Sequence, residues 1–245
     1  MKRSSSELKR IAKGKLLGNY SIPMGAVIIF FVITFIITFF STFAFFNTLT
    51  TFGFVVSSLC EFIVSILLGV LSAGMSSLFL NFCRNKEYKI GDILYGFRNY
   101  PDHVIGILIL LFLMVLACFL PVIILTLLGK VIDLLILDLL LILFEIIGVI
   151  ASIILMLTYS QAVFLYIDDP HMKVMDALRE SKKMMRGNKV RLFYLIMSFF
   201  GLLLLCVLSC YIGMLWIGPY MNTTLTLFYL DLRGELPEAD SNHFH

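Results

Sequence analysis

Charged residues are scarce in this chain. Lys, Arg, Asp and Glu make up 14% of the sequence and hydrophobic residues 60%, whereas an average globular domain carries about 25% charged residues. The mean hydropathy is +0.99, and uncharged runs of the roughly 20 residues that a helix needs to cross a bilayer recur along the chain. The composition therefore excludes a soluble domain and predicts repeated passage through a membrane.

The apolar runs also lack the alternation of polar and apolar residues that marks a transmembrane β-strand of about 10 residues. Lipid cannot bind free backbone groups, so only helices and closed barrels can cross it. Long continuous runs therefore predict an all-α, polytopic transmembrane helical bundle.

Motifs for catalysis or metal binding are missing as well. The five cysteines form no CxxC pair, the four histidines show no ligand spacing, and no GxSxG, HExxH or phosphate-binding glycine loop occurs. The segment Asp168-Asp169-Pro170-His171 is typical of an N-cap and helix start, although a metal site is imaginable there. We expect no enzymatic activity, cofactor, metal or nucleic-acid partner.

Six apolar runs follow a basic leader at 1–22 and precede a polar tail at 231–245. The run that begins near Pro23 is too long for the core of a cleaved signal peptide, which predicts a retained helix. Pro121 predicts a kink, and residues 131–142 are expected to be interfacial because the fourth run is too long for one crossing. The last run is short but could cross with a kink. The predicted spans are 23–46, 54–82, 104–128, 143–166, 192–211 and 214–230.

Lys and Arg alternate between loops. They crowd into the leader, the loop at 84–103 and the loop at 168–191, whereas the other loops hold only Lys130. The positive-inside rule then places the N-terminus in the cytoplasm. Six spans return the tail to the cytoplasm; five spans, the alternative, would leave it outside.

A repeat is visible in the basic segments. Arg10-x-x-Lys13-x-x-x-x-Gly18-Asn19 precedes the first span, and Arg179-x-x-Lys182-x-x-x-x-Gly187-Asn188 precedes the fifth. The segment 90–98 is a weaker counterpart before the third. This pattern predicts three repeats of an amphipathic surface helix plus a two-span hairpin, each Gly-Asn turning the chain into the membrane. The alternative is coincidence among basic residues.

A few polar residues lie within the apolar runs, where a buried charge costs several kcal/mol. In the fourth run they recur every seven residues, so they form one stripe expected to face the bundle interior or a wet cavity. The stripe could serve a proton or cation path, or it could form hydrogen bonds between helices. The residues of this candidate intramembrane site are Glu61, Asp138, Glu145, Ser152 and Tyr159, with Tyr166 continuing the stripe.

The loop at 168–191, called the fourth loop below, is a candidate lipid or partner surface, because cations at the headgroup level attract anionic lipid. Its charges could equally serve only to set topology. Trp216, Tyr211 and Tyr220 are expected in an outer interfacial belt. The cations of the loop are Lys173, Arg179, Lys182, Lys183, Arg186, Lys189 and Arg191.

Several motifs resemble a bacterial integral-membrane family catalogued as domain of unknown function 975. They are Ala12-Lys13-x-x-Leu16-x-Gly18-Asn19, Asp176-Ala-Leu-x-x-Ser181-Lys-x-Met-Met-x-Gly187-Asn188-Lys189, Leu192-Phe193, Gly213-x-Leu-Trp216-x-x-Pro219-Tyr220 and Phe228-Tyr229. The resemblance covers both ends of the chain and implies a membrane protein of bacteria, but no reaction.

The leading hypothesis is a non-enzymatic, multi-pass protein of the bacterial cytoplasmic membrane that contacts anionic lipid. It would act in membrane organisation or as a subunit of an envelope system, with a protein partner or as a homo-oligomer. The alternative is a small transporter or channel that uses Glu145 and Glu61.

Overall fold

The computed structural model describes residues 3–45, 51–99, 101–129, 135–209 and 211–236, and every regular element in these ranges is helical. A 3₁₀ turn at Ile90–Leu94 precedes α4. The α-helices are α1 (Ser5–Leu16), α2 (Ser21–Phe45), α3 (Thr51–Cys83), α4 (Tyr95–Arg98), α5 (Pro101–Gly129), α6 (Leu135–Tyr159), α7 (Ala162–Asp168), α8 (Val174–Met184), α9 (Lys189–Met197), α10 (Phe200–Leu208) and α11 (Met214–Arg233).

Five helical stretches among the described residues are long and apolar enough to cross a membrane. They are Ser21–Thr42, Val55–Cys83, Pro101–Gly129, Ile136–Asp168 and Lys189–Leu208. The sixth predicted span, 214–230, is not among them. It corresponds to α11, which carries Asn222, three threonines and Asp231.

The fourth crossing begins earlier than predicted. Residues 131–142 were expected to be interfacial with a span at 143–166, whereas α6 is helical from Leu135; residues 131–134 lie outside the described residues. The chain leaves regular helix at Ser160–Gln161 and continues as α7.

The tightly packed core lies at one end of the bundle, here called the basic end. It contains α1, the loop at 84–98 and α8. The helices α2, α5 and α9 begin there, and α3, α7 and α11 end there. Buried residues such as Leu8, Phe79 and Leu195 concentrate there. Elsewhere the long helices expose residues such as Phe40 and Ile136. Such surfaces suit lipid, which replaces protein as the apolar surrounding.

Helix α11 is central to the basic end. Leu227, Phe228 and Tyr229 are 0% exposed, and α11 packs against α1, α2 and α3. The hydroxyl of Thr224 donates to the carbonyl of Tyr220 at 2.7 Å. Because protein covers much of α11 and the hydroxyls of Thr224 and Thr226 bond to its own backbone, the helix tolerates polarity that a lipid-facing helix would not.

The basic segments form helices whose apolar faces are covered by protein. Leu8, Ala12 and Leu16 of α1 are buried, with α11 as the main neighbour, and Ala177 and Leu178 of α8 are buried beside α7. The expectation that these faces lie on lipid is therefore corrected. Small alanines allow the neighbouring helix to approach closely.

The weaker counterpart at 90–98 is also packed on protein. A Cβ added to Gly74 of α3 would lie 1.7 Å from the carbonyl oxygen of Ile93, and Ile93 is buried. Only glycine permits this backbone contact between the loop and α3.

The two Gly-Asn motifs form the same turn. Gly18 has φ +83° and Gly187 has φ +78°. The amide of Asn19 donates to the carbonyl of Leu16 at 3.0 Å, and the amide of Asn188 donates to that of Met185 at 3.0 Å. Left-handed glycine therefore ends a basic helix just before an apolar one in both places.

Candidate functional site: the charged cluster at the basic end

Arg84, the first residue after α3, joins the ends of three helices. Its guanidinium donates to both carboxylate oxygens of Asp168, at 2.5 and 2.9 Å, and to those of Glu235, at 2.8 and 3.0 Å. The Arg84 and Asp168 side chains are only 18% and 12% exposed. Asp168 ends α7 and Glu235 follows α11, so one side chain links α3, α7 and α11.

Tyr229 of α11 completes this cluster. Its hydroxyl donates to Asp168 Oδ2 at 2.5 Å, and its ring stacks on Phe164 with centroids 5.0 Å apart. Burial, followed by the hydrogen bond to Asp168, raises the pKa of Tyr229 far above its usual value. Tyr229 therefore stays a protonated donor at physiological pH.

The position of Arg84 at the C-terminal end of α3 favours its positive charge. A helix C-terminus carries partial negative charge, so Arg84 suits the end of α3, whereas Asp168 at the end of α7 needs a cation. Bidentate pairing matches the planar guanidinium to the carboxylate. The hydrogen bond to Asp168 is the largest influence, and it raises the pKa of Arg84.

Asp168 does not begin a helix, which corrects the prediction that Asp-Asp-Pro starts one. It is the last residue of α7, and α8 begins only at Val174 with Lys173 as its N-cap. Asp169 instead holds a turn by accepting the amide of His171 at 3.1 Å. Among the described residues no group of His, Cys, Asp and Glu could hold a metal ion.

A second arginine fastens the start of α9. Arg191 pairs with Asp231 of α11, which is 6% exposed, and its Nε donates to the carbonyl of Arg3 at 2.9 Å. Its guanidinium lies 4.9 Å from the Phe228 ring centroid. Arg191 was predicted as part of the lipid surface, but its side chain is largely buried and pairs with Asp231.

Asp231 was also predicted to begin a loose polar tail. Helix α11 instead runs to Arg233 and ends at Gly234, whose φ is +71°. The pair with Arg191 explains the extension, because it anchors Asp231 within the fold.

Most other cations of the fourth loop are on the surface. Within α8, the pairs Arg179–Asp176 at 3.5 Å and Lys183–Glu180 at 3.4 Å are exposed, and exposed pairs of this kind hold a side chain weakly. Lys189 is half-buried. The exposed cations are Lys173, Arg179, Lys182, Lys183 and Arg186.

The predicted polar stripe lies largely at the surface of the bundle, and Asp138 lines an open cleft of about 210 Å³ between α5 and α6. Glu61, Asp138 and Glu145 are exposed, which corrects the expectation that they line the bundle interior. Helix α6 packs chiefly on α5, through a face where a Cβ on Gly148 would lie 3.1 Å from Phe119. Glu145 flanks this contact face rather than occupying it.

The remaining members of the stripe have separate partners. Ser152 donates to the carbonyl of Val149 at 2.8 Å, within its own helix. Tyr159 is half-buried, whereas Tyr166 is buried and donates to the carbonyl of Asn99 at 3.2 Å. Only the part of the stripe nearest the basic end faces protein.

A groove of about 360 Å³ opens beside α1. The hydroxyl of Tyr20 in its wall donates to the carbonyl of Trp216 at 2.6 Å. Trp216 and Tyr220, predicted at an outer interface, therefore lie next to the turn that follows α1, because α11 meets the start of α2. The groove is lined by Lys13, Leu16, Leu17, Tyr20, Leu202, Trp216, Ile217 and Tyr220.

A neighbouring cleft of about 330 Å³ is more polar. Lys15 donates to Asn85 Oδ1 at 2.9 Å there, and Asn19, Lys86 and Tyr88 line it as well. Two lysines and an apolar groove thus lie close together at the basic end.

Sequence reasoning missed the pairing of Arg84, Asp168, Tyr229 and Glu235. One signal was available: Arg84 and Asp168 have opposite charges and each directly borders an apolar run. Two run ends that meet at the same end of a bundle can pair in this way.

Long apolar helices with the ion pairs of Arg84 and Arg191 at one end are consistent with a multi-pass helical membrane protein. The chain belongs to the family described as protein of unknown function (DUF975), whose profile matches residues 1–235, and the resemblance in its motifs is confirmed. Neither the comparison with curated proteins nor that with solved structures finds a match.

Proposed function

We propose that this protein is a non-enzymatic, multi-pass component of the bacterial cytoplasmic membrane that binds anionic lipid at its basic end. It would organise the membrane or serve as a subunit of an envelope system, with its N-terminus in the cytoplasm. The observation that carries the proposal is the apolar groove with Lys13 at its edge, next to a cleft that Lys15 and Lys86 line.

The groove suits a lipid in shape and charge. Leu16, Leu202 and Ile217 offer an apolar wall to an acyl chain, and Lys13, which is exposed, offers charge to a headgroup phosphate. Trp216 and Tyr220 add the amphipathic rings that favour the headgroup level. Phospholipid of the adjoining leaflet is therefore the ligand that matches the lining.

The exposed cations of α8 and of the turn that follows it add a positive field. Each Lys or Arg near an anionic surface contributes about 1 kcal/mol. Lys182, Lys183 and Arg186 are exposed, so together they would favour phosphatidylglycerol over phosphatidylcholine without fixing one lipid in one geometry.

The test compares lipid retention by the full chain extracted from mixed nanodiscs of phosphatidylglycerol and phosphatidylcholine. Replacing Lys182, Lys183 and Arg186 with Gln should lower the retained fraction of phosphatidylglycerol several-fold, and Lys13→Gln should remove tightly held lipid. Native mass spectrometry counts the bound molecules.

Charge-preserving variants, Lys182→Arg with Lys183→Arg and Lys13→Arg, provide the matched controls and should retain lipid as the parent does. Equal retention of both lipids by the parent protein would contradict the proposal.

A protein partner or a second copy is supported by Glu61 and Glu145. Both are exposed on otherwise apolar helices, and a carboxylate facing hydrocarbon costs several kcal/mol. A polar surface on another helix would remove that cost.

The alternative is a small transporter or channel. It requires a water-filled path that reaches Glu145, and Glu145→Gln would then abolish flux. The exposed positions of Glu145 and Glu61 favour the first proposal instead.

A further inference from the structure

The turn between α10 and α11 lies beside the first part of α2. A Cβ on Gly218 would lie 2.8 Å from Val27 Cγ1. Beyond it, Val27 and Phe31 of α2 share a cleft of about 220 Å³ with Tyr211 and Ile212 of the turn. The tip of the last hairpin is therefore level with Val27 and Phe31.

Helix α2 continues well past this level. From Phe31 it runs on to Phe45, which at 1.5 Å per residue is about 20 Å. If α2 crosses the bilayer, the hairpin tip stops far short of the opposite surface.

The other end of the hairpin extends beyond the long helices. Cys83, the last residue of α3, donates its thiol to the carbonyl of Thr223 at 3.9 Å, so α11 reaches the end of α3 with its second half still to come. Helix α11 packs on α1, whose Lys9 donates to the carbonyl of Ser198, the residue that follows α9, at 2.8 Å. A helix as basic as α1 does not belong in hydrocarbon, and it lies along the hairpin.

Several polar groups of the turn form hydrogen bonds within the turn, as a position in lipid requires. The amide of Tyr211 donates to the carbonyl of Cys206 at 2.8 Å, and that of Ile212 donates to the carbonyl of Ser209 at 3.1 Å. The Ser209 hydroxyl accepts the amide of Gly213 at 3.1 Å and donates to the carbonyl of Cys206 at 3.0 Å. Irregular backbone at membrane depth requires such internal partners.

We propose that α10 and α11 form a re-entrant hairpin that dips into the leaflet next to the basic end and turns back. Its lipid-facing tip is apolar and exposed, and its partner is the acyl chains of that leaflet. Four crossings remain, by α2, α3, α5 and the α6–α7 pair, so α1 and the end of α11 still share one side. The exposed tip residues are Leu204, Leu205, Val207, Leu208, Tyr211 and Ile212.

This inference rests on the membrane assignment under the proposed function, through α2. It explains why α11 is less apolar than the other long helices. Only its first turns enter lipid, and the rest is enclosed by α1, α3 and the charged cluster.

The test uses the single tryptophan of the chain in the full protein reconstituted in phosphatidylcholine and phosphatidylglycerol vesicles. Trp216→Phe combined with Ile212→Trp moves the fluorophore to the tip. Phospholipids brominated midway along the acyl chain should quench it severalfold more than lipids brominated near the headgroup, and aqueous iodide added to either side should quench it little.

A six-span arrangement places the tip at the outer surface, so strong iodide quenching with weak quenching by mid-chain bromine would overturn the inference. Trp216→Phe combined with Leu128→Trp, at the far end of α5, is the matched control for a crossing helix and should be quenched by shallow bromine. If neither tryptophan responds to any brominated lipid, the protein does not sit in the membrane and the proposed function itself fails. If the tryptophan at position 128 is quenched by shallow bromine while the tryptophan at the tip is quenched by iodide, only the re-entrant hairpin is overturned.

Discussion

Arg84 and Arg191 show how single residues hold the basic end together. Each arginine connects segments far apart in the chain, Arg84 to Asp168 and Glu235, Arg191 to Asp231 and the backbone of Arg3. Removing one partner of a buried ion pair costs roughly 3–5 kcal/mol because the other charge is left unpaired. The partly exposed Arg84 cluster belongs at or below the lower part of that range.

Arg84→Met should therefore lower thermal stability in detergent, since Asp168 and Glu235 lose their shared cation. We expect a loss of about 2 kcal/mol, measured as a lower Tm. Arg179→Met removes an arginine that is 75% exposed and should leave Tm unchanged. Equal Tm values for the Arg84 variant and the parent would show that the cluster contributes nothing to stability.

At the scale of elements, the turns after α1 and α8 matter most. Gly18 and Gly187 adopt left-handed backbone, which costs other residues about 1–2 kcal/mol. In both places the chain leaves a basic helix for an apolar one. The same motif forms both of these turns, and the threefold repeat of a basic helix and a two-span hairpin stays a prediction.

Gly18→Ala and Gly187→Ala should each destabilise the protein by about 1 kcal/mol. Neither added methyl group meets a neighbouring atom, so the cost would be purely conformational. Gly14→Ala is the matched control, because Gly14 lies within α1 with open space around it and alanine favours a helix there. Denaturant or thermal melts in detergent measure all three; a Gly18 variant as stable as Gly14→Ala would contradict the assigned turn.

The helices α2, α3 and α5 begin and end within three residues of the predicted runs, because long apolar runs flanked by charge or glycine define them. The position of α11 could not be predicted, since its threonines and Asp231 suggest a weak span until the enclosing helices are known. Arg84 and Asp168 are 84 residues apart, so their pairing depends on which helix ends meet. The prediction that Glu145 faces the bundle interior was wrong, because a seven-residue spacing shows which residues share a helix face but not whether protein or lipid covers that face.

At the scale of the whole molecule, packing and charge are divided between two regions. The basic end holds the buried core, the ion pairs and the exposed cations, whereas the long helices expose apolar side chains. Under the proposed function, lipid would surround the long helices and an anionic membrane surface would lie beneath the basic end. The groove beside Lys13 lies where these two surroundings would meet.

The most direct measurement is the labelling of single cysteines by a membrane-impermeant maleimide in intact and permeabilised cells. With the native cysteines replaced by alanine, Lys183→Cys on α8 should label only after permeabilisation, and Gly129→Cys at the far end of α5 should label in intact cells. Labelling of Lys183→Cys in intact cells, with Gly129→Cys protected, would contradict a membrane protein whose basic end faces the cytoplasm.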